Sequence, residues 1–339
     1  MRLKKQFLSV CPLRKFLIPI FCICFSLQTV QAEQMLIPSG RTVGVTMDTK
    51  GLLVLDTGTV DGENNQIYTP CKGILQAGDL LLEADGQPLE NKEMFMKAIE
   101  QSGGRAVSLL VERNGRERNF SVKPVFSRTD GTYKIGAWVR DSIQGIGTVT
   151  FVDPADETFG ALGHGVYDVD TDRLMEIRSG SLTQTELTGI IKGQKGKAGE
   201  LTGQIILQEK IAAVEKNTEA GIFGTAEGWI SSEEGLPAAE WSQVQKGKAV
   251  ILSDLEGKGV RSYEIEIEDV RKSGRNHKDM TIRITDPRLL QLTGGIVQGM
   301  SGSPIIQNGK LVGAVTYVML NEPDRGYGIF IGNMLDAAG

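Results

Sequence analysis

From Ile135 onward the chain has no run that could form a long amphipathic helix. It carries instead short apolar or alternating segments, "LTGQIIL", "KAVILSDL", "YEIEIEDV" and "MTIRIT", separated by glycine-rich turns. Segments of this kind are strands. Roughly 200 residues of them bury a core only as packed or closed sheets, so a sandwich or a pair of barrels is expected. The 42 glycines fit many tight turns between short strands. With 40% hydrophobic and 23% charged residues, the 339-residue chain is an ordinary globular one with room for two or three domains.

The first 32 residues set a second constraint. Arg2, Lys4, Lys5, Arg14 and Lys15 flank or precede the apolar run Phe16 to Leu27, and no acidic residue occurs there. "QTVQA" then places Val30 and Ala32 at the small-residue spacing of a signal-peptidase site. The apolar run is shorter than the roughly 20 residues of a spanning helix. Export with cleavage after Ala32 is expected, with retention as an N-terminal membrane anchor as the alternative. Losing those five cations takes the formal net charge from −5 to −10. An acidic protein is a poor partner for nucleic acid, whose phosphates need clustered Lys and Arg. Cys11, Cys22 and Cys24 leave with the segment, so Cys71 is left without a partner for an internal disulfide. No histidine lies near it in "TPCKGIL", which argues against a nucleophilic role.

Residues 36–125 follow a definite order. Two strands in "GRTVGVTMDTKGLLVLDTGTV" precede Gly78-Asp79, a strand from Leu80 to Ala84 and a hairpin turn at Asp85-Gly86. Asn91 caps a helix with Met94, Phe95, Ala98 and Ile99 on one face, which stops at Gly103-Gly104. Two further strands are joined at Asn114-Gly115. This order, and "ILQAGDLLLEADGQPL" above all, resembles a PDZ domain. Such domains capture a peptide C-terminus or an internal segment by adding it as a strand. Val43, Gly44 and Val45 in "TVGV" are the candidate carboxylate-binding loop, with an ordinary strand glycine as the alternative. "FSRTDGTYK", 126–134, reads as a linker.

"GMSGSPI" at 299–305 bears the chemistry. A serine hydroxyl attacks a peptide bond only with an adjacent base and donors for the developing oxyanion. Glycines at 299 and 302 let the chain bend so that the N–H groups of Gly299 and Ser301 can converge, and Pro304 fixes the exit into a strand. A hairpin at Asn308-Gly309, a strand and a short terminal helix follow. That succession resembles the C-terminal barrel of chymotrypsin-like proteases and marks Ser301 as the nucleophile. The preceding residue is Met300 rather than aspartate, so no ion pair with a freed N-terminus can assemble this oxyanion hole.

Only two histidines occur. His277 lies in the charged "RKSGRNHKDM", which reads as an exposed loop. His164, in "FGALGHGVYDVD", ends an apolar strand between glycines and is the expected base. A carboxylate that orients it could be Asp168, Asp170 or Asp286. "DVDTD" tempts toward a calcium loop, but Arg173 stands where glycine is needed and Ser179 where glutamate is needed. A hydrated acidic turn is expected there instead. Asp286, before Pro287, ends a strand with a defined direction.

"ALGHGVYDVDT", "ITDPRLLQLTGGIVQGMSGSPIIQNGKLVGAVTYV" and "RGYGIFI" together resemble the stage IV sporulation protein B family, along essentially the whole chain. The resemblance implies a targeting or anchor segment at 1–32, a PDZ domain at 36–125 and a chymotrypsin-like double-barrel serine peptidase at 135–339. It places the triad on His164, Asp286 and Ser301, the aspartate departing from the usual arrangement in which acid and base share the first barrel. It further implies export into the forespore intermembrane space and cleavage of a membrane-tethered regulator of an intramembrane metalloprotease. Activation of the late mother-cell sigma factor follows from that cut. The competing readings are an envelope quality-control PDZ protease, disfavoured because its PDZ usually follows the protease, and a non-catalytic PDZ scaffold. Two distant histidines and no H-E-x-x-H offer no zinc site, and no cofactor is expected.

Overall fold

Val43, Val45 and Met47 alternate with Gly44, Thr46 and Asp48, a period-two pattern that turns three apolar side chains to one face of a long strand, β1 (Thr42–Thr57). Over 33–170, 172–226, 234–272 and 277–339, the residues that this computed structural model describes, strands dominate. The expected targeting segment, 1–32, lies outside the described residues. The strands used below are β2 (Leu80–Ala84), β3 (Val107–Arg113), β4 (Arg116–Val122), β5 (Ala137–Val152), β6 (Thr158–Ala161), β7 (Ile177–Ile191), β8 (Gly199–Thr218) and β9 (Gly221–Ala226). They continue with β10 (Gly247–Ser253), β11 (Arg261–Val270), β12 (Met280–Ile284), β13 (Pro304–Gln307), β14 (Lys310–Met319) and β15 (Glu322–Phe330).

Two closed antiparallel barrels form. In the first, the order β1–β5–β6–β9–β8–β7 returns to β1, so pairing runs unbroken around the ring. Val43, Val45, Val149, Phe159, Leu182 and Ile222 are among the side chains that fill it. The second is closed by β10–β11–β12–β15–β14–β13 around Ile251, Ile265, Ile267, Ile282 and Ile305. A C-terminal helix, α3 (Ile331–Ala338), buries Ile331 and Met334 in a cluster with Phe151 and Phe223 of the first barrel and Leu311, Ala314 and Ile329 of the second. Closure leaves no ladder edge unpaired within each ring, which is how all-β folds avoid edge-to-edge association.

The PDZ unit is inserted into the first barrel. Residues 42–48 of β1 pair with β5 over 142–148, inside the ring, while Leu53–Thr57 pair with β5 over 137–140, outside it. There β1 also pairs with β2, which continues into β3 and β4. Leu52, Val54, Leu81, Leu109, Val111 and Val122 form this unit's core with Phe95 and Ile99 from helix α1 (Lys92–Gln101). Asn91 accepts from the Met94 amide at 2.9 Å, the expected N-cap. A fully buried Asp79 is answered by Arg113 at 2.6 Å. Asp85-Gly86, Asn114-Gly115 and Asn308-Gly309 all have positive φ at both positions, as two-residue hairpins with this strand twist require.

The expected division at 135 is corrected by these pairings. The first barrel starts at Thr42, ahead of the PDZ unit, and two strands run continuously through both. The expected carboxylate loop is corrected too. Val43, Gly44 and Val45 form no loop; they are barrel strand, with Gly44 between Ile146 and Thr183. A Cβ on Gly44 would stand 2.6 Å from Ile205 Cγ2, so the close approach of β8 on the face of β1 opposite Val43 and Val45 is what asks for glycine there. The expected linker forms a small ribbon, Val125–Ser127 against Thr132–Lys134.

Candidate active site

His164 and Ser301 line one cleft of about 420 Å³. Each is presented by a turn. After β6 the chain turns through Leu162 and Gly163, with φ of 69° and 68°, and so brings His164 out of the first barrel. Ser301 stands between Gly299 and Gly302, with φ of 99° and 95°, on the second. The two turns touch. A Cβ on Gly302 would lie 2.0 Å from Thr148 O and 2.5 Å from Leu162 N, and one on Gly163 would lie 3.1 Å from Ile329 Cγ2. Glycine at both positions lets the barrels close on each other beside the reactive groups.

The serine turn is held by its neighbour. Thr148 Oγ1 donates to Gly299 O at 2.7 Å, Thr148 N to Ser301 O at 3.0 Å and Thr150 Oγ1 to Gly302 O at 2.8 Å. Gly302 N donates to Val315 O at 2.8 Å and Ser303 N to Met300 O at 2.9 Å. Buried carbonyls without partners are costly, so this set fixes the turn's path. The sequence reading missed Thr148 and Thr150. Their signal was two buried threonines at period two in the apolar strand "GTVTFV", which implies a polar partner facing that side.

His164 Nδ1 lies 2.8 Å from Gly165 O. A carbonyl only accepts, so Nδ1 carries the proton and a neutral ring keeps its lone pair on Nε2. Burial pushes the imidazole below its ordinary pKa of 6.5, and the Gly165 carbonyl opposes this only in part. Tyr317 stacks on the ring at 4.8 Å, and burial pushes its own phenol up to about 12. Ser301 Oγ donates to Thr316 O at 2.7 Å, so its proton is directed at a carbonyl rather than at the imidazole.

Asp286 is placed elsewhere. It caps helix α2 (Pro287–Thr293), taking the Arg288 amide at 2.9 Å and Nε at 3.0 Å on Oδ1. Oδ2 takes Arg288 Nη2 at 2.6 Å and the Glu264 amide at 3.2 Å. The guanidinium of Arg288 leads in holding its carboxyl down to about 2. Four donors occupy the carboxylate, it does not line the cleft, and no hydrogen bond joins it to His164 among the described residues. Of the other two carboxylates, Asp168 is buried rather than hydrated and pairs with Arg140, which also meets Asp170 at 2.8 Å. His277 is half-buried and lines a separate depression with Tyr167, Asp172, Glu219, Lys278 and Tyr317. Cys71 is buried and its thiol is pushed up to about 12, which leaves it inert. No group of three or more His, Cys, Asp or Glu could hold a metal among the described residues.

The family model of SpoIVB peptidase S55 matches residues 131–335. The chain belongs to that family. As an S55 peptidase it is a serine endopeptidase, mainly β, with a PDZ unit and a chymotrypsin-like double barrel. Solved structures resemble parts of this S55 chain. The Rv3671c protease of M. tuberculosis in its active form shares 15% identity, with TM-score 0.34, covering 58% of this chain and 75% of that one. The PDZ domain of an SdrC-like protein from Listeria monocytogenes shares 23% identity, with TM-score 0.22, covering 26% and 87%. The HtrA-type protease AlgW, with a decapeptide, shares 9% identity, with TM-score 0.34, covering 87% and 61%. No match is found among curated protein sequences.

Proposed function

We propose that this peptidase works in sporulation, exported across the membrane, by cutting a membrane-tethered regulator of an intramembrane metalloprotease in the forespore intermembrane space. The late mother-cell sigma factor is then processed. The observation that supports the chemistry is the shared cleft, lined by Ser301 and by a neutral His164 whose Nε2 keeps its lone pair.

The reaction runs as an acyl transfer. A rotation about χ1 of Ser301 exchanges the Thr316 carbonyl for His164 Nε2 as acceptor. Nε2 takes the hydroxyl proton while Oγ attacks the scissile carbonyl, and the N–H groups of Gly299 and Ser301 receive the oxyanion. The imidazolium gives its proton to the leaving amine, and water then releases the acyl group by the same steps. The Gly165 carbonyl does the orienting that a triad carboxylate does elsewhere. Asp286 serves by fixing the start of α2, whose end leads through Gly294-Gly295 to the serine turn.

The PDZ unit takes an extended peptide, a C-terminus or an internal segment, along the edge of β5 that faces α1. A groove of about 370 Å³ lies there, lined by Phe95, Met96, Ile99, Ala137, Trp138 and Val139. Ile135-Gly136-Ala137, with Gly136 at φ 69°, forms an apolar-Gly-apolar turn at its end. Backbone pairing on β5 supplies affinity and the groove receives alternate side chains.

Residues 33–339 and their Ser301→Ala variant, mixed with vesicles bearing the tethered regulator, test this reading. Cleavage of the regulator by the wild type alone is expected. An uncut regulator, with unfolded casein degraded, would point to quality control instead.

A further inference from the structure

The cleft that holds Ser301 carries no formal charge in its walls. Its lining contains no Asp, Glu, Lys or Arg. Ile296, Val297 and Gln298, just ahead of the serine turn, line the cleft together with Tyr317 and Val318 from β14. Ile296 and Val297 are each 2% exposed and form the floor, while Gln298 reaches solvent. The floor is also fixed in depth. Ile296 N donates to Pro323 O at 2.7 Å, which ties the segment to β15. A Cβ at Gly326 would stand 2.6 Å from Ile296 Cδ1, so the isoleucine fills the space that glycine leaves open on that strand.

We propose that the residue preceding the scissile bond is a medium-sized aliphatic side chain or methionine, and that Ile296 is the residue that sets this preference. This rests on Ser301 being the nucleophile, because its position decides which wall the side chain meets. A lysine, arginine or acid entering here would lose its hydration with no opposite charge to meet it, and such desolvation is heavily unfavourable. Ile296 is backed by the β15 backbone at Gly326 and has no room to recede, so it limits how deep a phenyl ring can go. Leucine or methionine gains transfer free energy without either cost. The substrate class is therefore an extended segment whose cut follows Leu, Met, Val or a residue of similar size.

Two measurements on residues 33–339 test the assignment. In the first, peptide aldehydes alike except for the last residue compete with a fluorophosphonate for Ser301. Leu and Met should protect at concentrations at least about tenfold below Phe, Lys and Glu, the scale on which small changes in an apolar pocket discriminate. Ile296→Ala should improve Phe relative to Leu by about tenfold or more, and Ile296→Val should move it the same way by less. The wild-type ranking needs no variant, so a destabilised Ile296→Ala protein leaves the test standing.

In the second, the same sequences as C-terminal amides are bound to Ser301→Ala protein. No reactive serine is needed there, and no free carboxylate is offered to the PDZ groove. Preference for Leu and Met is expected. If the wild type resists the fluorophosphonate while this preference holds, the nucleophile is lost and the pocket stands. Equal or better binding of Lys or Glu in either measurement, or a ranking unmoved by both Ile296 variants, overturns the proposal.

Discussion

The serine turn and the histidine turn meet across one cleft, yet they are held differently. Three carbonyls around Ser301, those of Gly299, Ser301 and Gly302, receive donors from β5 of the other barrel. His164 relies on the carbonyl of the next residue and on stacking with Tyr317, while the carboxylate expected to orient it is spent on Arg288 and a helix start. The nucleophile is thus positioned by hydrogen bonds from the other barrel, and the base by one bond to its chain neighbour and a ring stacked on it from the other barrel. Since β5 also forms the edge of the PDZ groove, the strand that clamps the serine turn is the one a bound peptide would extend.

Breaking the contact between the turns should have the largest effect, and an unequal one. Gly302→Ala puts a methyl 2.0 Å from a backbone oxygen and should cost about 3 kcal/mol or more in denaturant unfolding, with activity lost. Gly163→Ala meets only side-chain atoms near 3.1 Å and should cost about 1–2 kcal/mol, chiefly from its left-handed φ. Equal losses would mean that the two turns are held alike.

Thr148→Val removes the donor to Gly299 O and leaves that carbonyl buried. A loss of about 1–3 kcal/mol is expected, with kcat lowered about tenfold and KM little changed. An unchanged kcat would show that β5 does not position the serine. Asp286→Asn sharpens the other side. Asparagine still caps α2 through its Oδ1, but its amide NH2 meets donors that the carboxylate accepted, so stability should fall by about 1–3 kcal/mol while kcat falls less than about tenfold. Asparagine in place of a true triad acid costs about 10⁴ in kcat, and a loss on that scale would return Asp286 to the triad.

The smallest effect is a shift along the pH axis. Burial lowers the pKa of His164, so the ring stays neutral below its ordinary 6.5. The acid limb of kcat/KM should therefore fall below pH 6.5, where an imidazole paired to a carboxylate would be raised instead. The unfolded chain takes up this proton first. Stability contributed by the neutral ring should then decline as pH drops from about 6.5 to the folded value.

What the sequence made legible was local. Asp85-Gly86, Asn114-Gly115 and Asn308-Gly309 carry their hairpins in two residues, and Asn91 announces α1 within one turn. The Gly299–Gly302 turn and the histidine between glycines were readable for the same reason. The illegible part depended on distant pairing. Nothing near Gly44 says that its neighbours are Ile146 and Thr183, so an apolar-Gly-apolar triplet in a barrel strand was indistinguishable from a binding loop. The insertion of the PDZ unit was hidden likewise, because the stretch read as two strands is one continuous β1 that passes from the barrel into the PDZ unit. Asp286 before Pro287 fits both a strand end and a helix cap, and Arg288 two residues on decides for the cap.

The central claim is that Ser301 is an activated nucleophile and His164 its base. Residues 33–339 as wild type, His164→Ala and Ser301→Ala, each shown folded and treated with a fluorophosphonate, test it most directly. The account predicts labelling at Ser301 in the wild type, none in Ser301→Ala and a loss of at least about 10³ in rate for His164→Ala. A wild type that stays unlabelled, or a His164→Ala protein labelled at the wild-type rate, would contradict it.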